Sequence, residues 1–163
     1  MKKLMQKFAF AITLAATAHA LAADPIQGEI SCDKGENMAK VKALVAKAKA
    51  GLKASKDKTL KEITDGSKDW KDGDFYVFVY SGGKVLAHGF NAAMVGKDLT
   101  QVKDSDGLQY VEMIRRLAAE KGSGCVKYKF PNPAKGGQVE DKISYIESLG
   151  NNEWVGVGTY AIK

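Results

Sequence analysis

Residues 75–88 read FYVFVYSGGKVLAH, and this stretch decides the fold. Phe75 to Tyr80 is an unbroken run of aromatic and β-branched residues, which predicts a central β-strand covered on both faces. Ser81-Gly82-Gly83-Lys84 is a tight-turn signal. Val85 to His88 then predicts the second strand of a hairpin, so we expect the rest of the chain to build a sheet around this pair.

Amphipathic patterns lie on both sides of the hairpin. Apolar residues at helical spacing predict three helices, over residues 36–54, 58–64 and 106–121. The lysines of the first helix lie opposite its apolar face, which is typical of a solvated surface and less so of a membrane-surface helix. We expect Asp104 or Ser105 to cap the third helix and Gly122 to end it.

Further strand patterns follow the third helix, over residues 125–130, 142–148 and 154–162. The order of elements predicts an α+β domain, with a five-stranded antiparallel sheet and a long N-terminal helix packed on one face. The sheet core is expected over about 74–163, within one domain of residues 23–163.

The N-terminus has the order of a secretory signal peptide. Three lysines lie within the first seven residues, an apolar uncharged core follows over 8–18, and small residues come next. We expect residues 1–22 to be removed by cleavage before Ala23, although cleavage before Leu21 fits almost as well. The alternative is a retained anchor, but a spanning helix needs about 20 apolar residues. A cleaved signal predicts a soluble periplasmic protein.

Charge excludes one class of partner. The full chain carries 25 basic and 19 acidic residues, for a net charge of +6. Lys2, Lys3 and Lys7 belong to the leader, so the predicted mature chain keeps +3. The remaining lysines are interspersed with Asp and Glu and form no stripe with aromatics, so nucleic-acid binding is not expected.

The chain has two cysteines, Cys32 and Cys125, which do not form a C-x-x-C redox motif. In an oxidising compartment the simplest outcome is a disulfide between them. The alternative is two unpaired thiols, one of them buried.

Polar and aromatic residues on the predicted strands suggest a pocket. His88 ends the second strand, Tyr128 shares a face with Phe130, and Lys142 shares a face with Ser144. Lysine, histidine and tyrosine converging on a partly apolar pocket suit a small carboxylate. Each residue also has a structural explanation, as a core tyrosine, a solvated lysine or a structural histidine.

Three longer segments carry a resemblance to a known family. They are DGDFYVFVYSGGKVLAHGFNAAMVGKDL at 72–99, KDSDGLQYVEMIRRLAAEKGSGCVKYKFPNP at 103–133 and VEDKISYIESLGNNEWVGVGTYAIK at 139–163. In this order they resemble a single Cache domain of the second type, an extracytoplasmic sensor module, and helix 36–54 resembles the helix that such domains place before the sheet. Phe130 stands where many relatives have tryptophan, and Cys125 stands where many have tryptophan or another bulky residue.

The resemblance implies a PAS-like antiparallel sheet and a small-molecule pocket beneath the helix-containing excursion at 89–121. It implies a short organic acid as ligand, of the acetate, propionate, pyruvate or lactate type. The ligand-binding residues that it implies are Trp70, Tyr76, Phe78, His88, Tyr128, Phe130, Lys142, Ser144 and, as a secondary candidate opposite Lys142, Tyr145. It also implies signalling through a membrane-bound receptor or histidine kinase, by a monomer or by a homodimer joined through the N-terminal helix.

The sequence also allows two other functions. One is an interaction subunit that binds no ligand and docks on a receptor through the exposed face of helix 36–54. The other is an enzyme using His88 with Asp104, Asp106 or Asp141, but their spacing matches no nucleophile motif and no metal-ligand set. The sequence therefore predicts no catalytic residue, no metal and no cofactor.

Overall fold

The computed structural model describes residues 24–160, so the predicted signal peptide lies outside the described residues. Within this range the chain forms three α-helices and seven β-strands. The helices are α1 (Met38–Ala54), α2 (Lys56–Thr64) and α3 (Tyr110–Lys121). The strands are β1 (Glu29–Ile30), β2 (Lys71–Asp72), β3 (Phe75–Ser81), β4 (Lys84–His88), β5 (Ser123–Asn132), β6 (Gln138–Gly150) and β7 (Glu153–Thr159).

The strands form one antiparallel sheet in the order β1-β5-β6-β7-β3-β2, and β4 also pairs with β3. The predicted α+β class and antiparallel sheet are confirmed, but the described residues form seven strands instead of five. The additional strands, β1 and β2, have two residues each. A two-residue strand is too short to produce the alternation by which strands are recognised in a sequence.

Both faces of β3 are buried, as its apolar run predicts. Tyr76, Phe78 and Tyr80 point to one side, where they pack with residues of α3. Val77 and Val79 point to the other side, where they pack with α1 and α2. The sheet therefore lies between two apolar layers, and Lys142 of β6 lies on the α3 side.

The third helix begins four residues later than the sequence predicts, at Tyr110. Asp104 does not cap it. Instead, the Asp104 carboxylate accepts hydrogen bonds from the backbone N–H groups of Asp106 and Leu108, at 3.0 and 2.9 Å, and of Lys129, at 2.9 Å. These bonds hold a turn that contains Gly107 at φ 87°, a backbone conformation that cannot continue into a helix. Gly122 ends α3 as predicted, with φ 79°.

The N-terminal segment is fixed to the sheet in two ways. Strand β1 pairs with β5, with Ile30 opposite Cys125. Two residues later, Cys32 forms a disulfide with Cys125, with Cα atoms 5.3 Å apart. The bond lies on the α1 side of the sheet, since Cys125 packs in the same cluster as Val41 and Val45. In the described part of the chain, no helix has the length and apolarity needed to cross a bilayer.

Candidate functional site

The site is centred on Lys142, whose side chain is 1 % exposed. Lys142 projects from β6 toward the α3 side, and its aliphatic stem lies over the neighbouring strand β7. Gly158 of β7 provides the space, because a Cβ atom at that position would overlap Cε of Lys142. Gly156 has the same role for Phe78, whose Cε2 atom would lie 2.5 Å from an added Cβ.

The Lys142 ammonium is surrounded by aromatic groups. Its Nζ atom lies 2.7 Å from the hydroxyl of Tyr76. It also lies 4.2 to 5.5 Å from the centroids of four rings, those of Tyr76, Phe130, Tyr160 and Phe78. Lys142 takes part in none of the ion pairs among residues 24–160. A buried ammonium without a counter-ion is strongly disfavoured.

Burial accordingly lowers the pKa of Lys142 from 10.5 to about 7. The negative charge of Asp74 acts in the opposite direction, but from beyond ion-pair distance. Lys142 therefore changes its protonation state near neutral pH.

His88 is held as a neutral hydrogen-bond donor. Burial, with the Lys142 charge as a second cause, lowers the pKa of His88 to about 3. Its Nδ1 atom accepts hydrogen bonds from the backbone N–H groups of Asn91 and Phe90, at 3.1 and 3.4 Å. In a neutral imidazole with Nδ1 as acceptor, the proton is on Nε2. The Nε2–H group is then available as a donor beside Tyr76, whose ring centroid is 5.1 Å from that of His88.

Tyr128 lies directly opposite Lys142 on strand β5. Its hydroxyl shares a 2.8 Å hydrogen bond with the hydroxyl of Ser144. Its ring stacks on Tyr110 of α3, with centroids 4.6 Å apart. Burial raises the pKa of Tyr128 well above 10, so the phenol stays neutral and can donate a hydrogen bond.

These residues enclose a cavity of about 10 Å³ between the sheet and α3. That is room for roughly one water molecule. Ring and aliphatic side chains form most of the wall, which consists of Phe78, Tyr80, His88, Tyr110, Val111, Ile114, Tyr128, Phe130, Lys142 and Trp154. A larger molecule can enter only if some of these side chains or α3 move.

A larger depression of about 650 Å³ lies elsewhere, between residues 24–31 and the end of α3. It is open to solvent, and Lys121, its one basic side chain, is already bonded to Glu29. Because buried polar donors converge only on the smaller cavity in the described part of the chain, we place the candidate site there.

Seven of the nine ligand residues implied by the resemblance lie together around Lys142: Tyr76, Phe78, His88, Tyr128, Phe130, Lys142 and Ser144. The other two lie on the opposite side of the sheet. Trp70 packs beneath α1 and donates its indole N–H to Glu62, at 3.2 Å. Tyr145 follows Ser144 in the strand and so faces α1, with its hydroxyl donating to Glu147 at 3.0 Å.

Sequence reasoning missed Tyr80, Tyr110, Trp154 and Tyr160 around the site. Tyr80 continues the alternation of Tyr76 and Phe78. Trp154 and Tyr160 flank Gly156 and Gly158 in the pattern W-x-G-x-G-x-Y. Two glycines on one face of a strand indicate a close approach by another group, so this pattern could have identified the site.

Two of the carboxylates that the enzyme alternative requires, Asp104 and Asp141, are held by other partners. Asp104 holds the turn before α3, and Asp141 forms ion pairs with Lys127 and Lys129 at 3.0 and 2.7 Å. Among residues 24–160, no group of three or more His, Cys, Asp and Glu side chains is placed to hold a metal ion.

Comparison with known proteins gives one consistent family. The sequence model of the family "single Cache domain 2" matches residues 26–162. The sensor histidine kinase MctS of Rhizobium johnstonii is 35 % identical over 92 residues, which is 55 % of this chain and 19 % of the kinase. The chain thus matches less than a fifth of the length of that relative.

Two solved structures have the same fold. One is a Cache chemosensory domain studied for its recognition of carboxylic acids, with a TM-score of 0.63 and 24 % identity over 75 % of this chain and 91 % of that one. The other is the periplasmic sensor domain of a chemotaxis protein, with a TM-score of 0.62 and 27 % identity over 75 % and 93 % of the two chains.

Proposed function

The chain belongs to the single Cache domain 2 family of extracytoplasmic sensor domains, and on this premise we propose that it binds a short-chain monocarboxylate in the cavity at Lys142. Acetate, propionate, pyruvate and lactate are the ligands of this class. Binding is the first step of signal transduction, which a separate membrane-bound protein completes.

The observation that carries the proposal is the buried, unpaired ammonium of Lys142. Its only hydrogen bond within residues 24–160 is to the neutral phenol of Tyr76. A carboxylate beside Nζ supplies the missing counter-ion in a low-dielectric site, where a charge-assisted hydrogen bond is strong. The hydroxyls of Tyr76 and Tyr128 and the Nε2–H group of His88 are neutral donors around the same point.

The charges around the cavity favour one carboxylate over two. Lys142 is the single cation in the described wall, because the lowered pKa of His88 keeps the imidazole neutral. The carboxylate whose charge acts on Lys142, that of Asp74, would repel a second carboxylate on a ligand. Aromatic and aliphatic side chains form the rest of the wall, which suits a short alkyl or acyl chain.

The related structure studied for carboxylic acid recognition agrees with this ligand class, but at 24 % identity it supports the fold alone. The proposal therefore rests on the geometry of Lys142 in this chain.

Export and output complete the proposal. Residues 1–22 act as a cleaved signal peptide, and the mature domain works in the periplasm. The partner is a receptor or histidine kinase in the membrane, since relatives of this domain occur in a sensor kinase and in a chemotaxis protein. Whether the domain acts as a monomer or as a dimer through α1 can be measured by light scattering.

A thermal-shift screen tests the ligand class. Acetate, propionate, pyruvate and lactate are compared with succinate and malate, at equal ionic strength, on residues 23–163. We expect at least one monocarboxylate to raise the melting temperature in a concentration-dependent manner and the dicarboxylates to have little effect. Lys142→Met, which keeps the length of the side chain without its charge, is the matched control and should show no shift. Stabilisation by none of the monocarboxylates, at concentrations up to tens of millimolar, would contradict the proposal.

A further inference from the structure

The surroundings of Lys142 leave its ammonium without a partner of opposite charge. Its Nζ atom is enclosed by four rings and one phenolic hydroxyl, and its side chain is 1 % exposed. The four rings favour the charged form by cation–π attraction. Burial away from water disfavours it, and this is the larger effect on Lys142. Loss of a proton from the Lys142 ammonium in the ligand-free site avoids the cost of burying its charge.

The titratable groups that face Lys142 come from every element packed around it. They are Tyr76 and Tyr80 of β3, His88 of β4, Tyr110 of α3, Tyr128 of β5, Tyr160 after β7 and Asp74 in the turn before β3. Burial raises the pKa of each of these tyrosines, to about 12 for Tyr110 and Tyr160. Burial lowers the pKa of His88 to about 3. Neither these tyrosines nor His88 changes protonation state between pH 6 and 9.

Among the tyrosines, His88 and Lys142, only the amine of Lys142 therefore exchanges a proton near neutral pH, with a pKa of about 7. A carboxylate placed beside Nζ stabilises the ammonium and so raises that pKa in the complex. The bound and free sites then differ by one proton above neutral pH.

We infer that the site takes up one proton from solvent with each carboxylate that it binds, so that in net it accepts the neutral carboxylic acid. This inference rests on the proposed function. In the step, the neutral amine of Lys142 accepts a proton from water or buffer and the carboxylate anion binds to the resulting ammonium. No covalent bond within the ligand forms or breaks, and the charge of the site with its ligand equals that of the free site with a neutral amine.

The coupling between proton uptake and ligand binding determines how the dissociation constant depends on pH. At pH 6 most Lys142 side chains already carry the proton, so uptake is about 0.1 proton per ligand; at pH 8 it is about 0.9. The dissociation constant is nearly constant below pH 6.5 and rises about tenfold for each pH unit above pH 8. The domain would then respond both to the concentration of the carboxylate and to the pH.

Isothermal titration calorimetry with propionate measures the uptake directly. Titrations at pH 6, 7, 8 and 9 are run in pairs of buffers with low and high ionisation enthalpy, such as phosphate and Tris. The slope of the observed heat against ionisation enthalpy gives the number of protons taken up. We expect this number to rise from about 0.1 to about 0.9 between pH 6 and 8.

A second measurement identifies the group that takes up the proton. In protein labelled with ¹³C at lysine Cε, one resonance should titrate between pH 6 and 8 without ligand and stay at the charged position up to pH 8 with saturating propionate. The absence of this resonance from Lys142→Met assigns it.

The outcomes separate the inference from the proposed function. Binding whose heat is independent of the buffer at every pH overturns the inference and leaves the carboxylate site standing. Proton uptake with no Lys142 resonance titrating near pH 7 also overturns it, because another group would then be the acceptor. The absence of binding of any monocarboxylate at every pH overturns both.

Discussion

The hydroxyl of Tyr76 lies 2.7 Å from Nζ of Lys142, although β3 and β6 are separated in the sheet by β7. The contact spans the width of β7 over Gly158, where a side chain would block it. The lysine on β6 thereby reaches the phenol on β3, two strands away, and its ammonium lies among the aromatic rings of the site. This relationship fixes the only buried lysine side chain in the described part of the chain at the centre of the site.

Gly158→Ala tests this packing. A methyl group at position 158 would overlap Cε of Lys142, so we expect a loss of about 1–3 kcal/mol in the free energy of unfolding. In a Lys142→Ala background the overlap with Cε is gone and the contact with Ser144 Oγ, 2.7 Å from the added Cβ, remains, so the same substitution should cost at least about 1 kcal/mol less. Urea unfolding of the four proteins gives the coupling energy. An equal cost of Gly158→Ala in both backgrounds would show that the two positions do not touch.

The buried lysine should leave a signature in the dependence of stability on pH. Its pKa is about 7 in the folded state and 10.5 in the unfolded state, so the unfolded state binds more protons between these values. The free energy of unfolding of wild type, relative to Lys142→Met, should therefore rise with pH by about 1.4 kcal/mol per unit between pH 7 and 10. Below pH 7 the difference should be constant, with Lys142→Met the more stable protein.

Urea unfolding at pH 6, 7, 8 and 9 measures that difference, and Lys127→Met is the control for removing a lysine charge from the neighbouring strand. A wild type whose stability follows that of Lys142→Met at all pH values would mean that Lys142 stays charged in the fold.

Two tyrosines on opposite faces of the sheet allow the face that carries the site to be distinguished from the face that packs against α1. Tyr128→Phe removes a hydroxyl from the cavity, and we expect the dissociation constant for propionate to rise about tenfold, equivalent to about 1.4 kcal/mol. Tyr145→Phe removes a hydroxyl that bonds Glu147 on the α1 side and should leave the affinity unchanged. Calorimetry on the two variants gives the comparison. An equal loss of affinity in both would return Tyr145 to the set of ligand residues.

The disulfide is expected to contribute to stability and not to binding. Cys32 and Cys125 are 93 residues apart, and closing a loop of that length stabilises a fold by up to about 4–5 kcal/mol in the chain-entropy model. The double variant Cys32→Ser, Cys125→Ser should have a free energy of unfolding lower by up to about 4–5 kcal/mol. Its affinity for propionate should be unchanged. Reductant should lower the stability of wild type and have no effect on the double variant. A reductant-insensitive wild type would mean that the bond is absent in solution.

Alternation along the strands predicted which face several of these residues occupy, whereas the family resemblance implied their role in ligand binding. The unbroken run at 75–80 predicted β3, and period-two spacing correctly placed Lys142 with Ser144 on one face and Tyr145 on the other. Tyr110 was within reach as well, because it lies one helical turn before Ile114 on the face that α3 buries.

Trp70 was not predictable in the same way. It precedes β2, a strand of two residues, so no alternation indicates its side. The family resemblance implied that Trp70 lines the pocket, but its indole instead packs against Gly51 of α1. The tiny volume of the cavity was also beyond the sequence, because it depends on how closely α3 approaches the sheet.

The central claim is that a carboxylate binds at Lys142, and a crystal structure of residues 23–163 grown with propionate tests it most directly. The account predicts density for the ligand in the cavity between the sheet and α3, with a carboxylate oxygen within about 3 Å of Lys142 Nζ and the alkyl chain against the aromatic wall. A structure at saturating propionate in which the Tyr76–Lys142 hydrogen bond is intact and the acid is absent or bound elsewhere would contradict it.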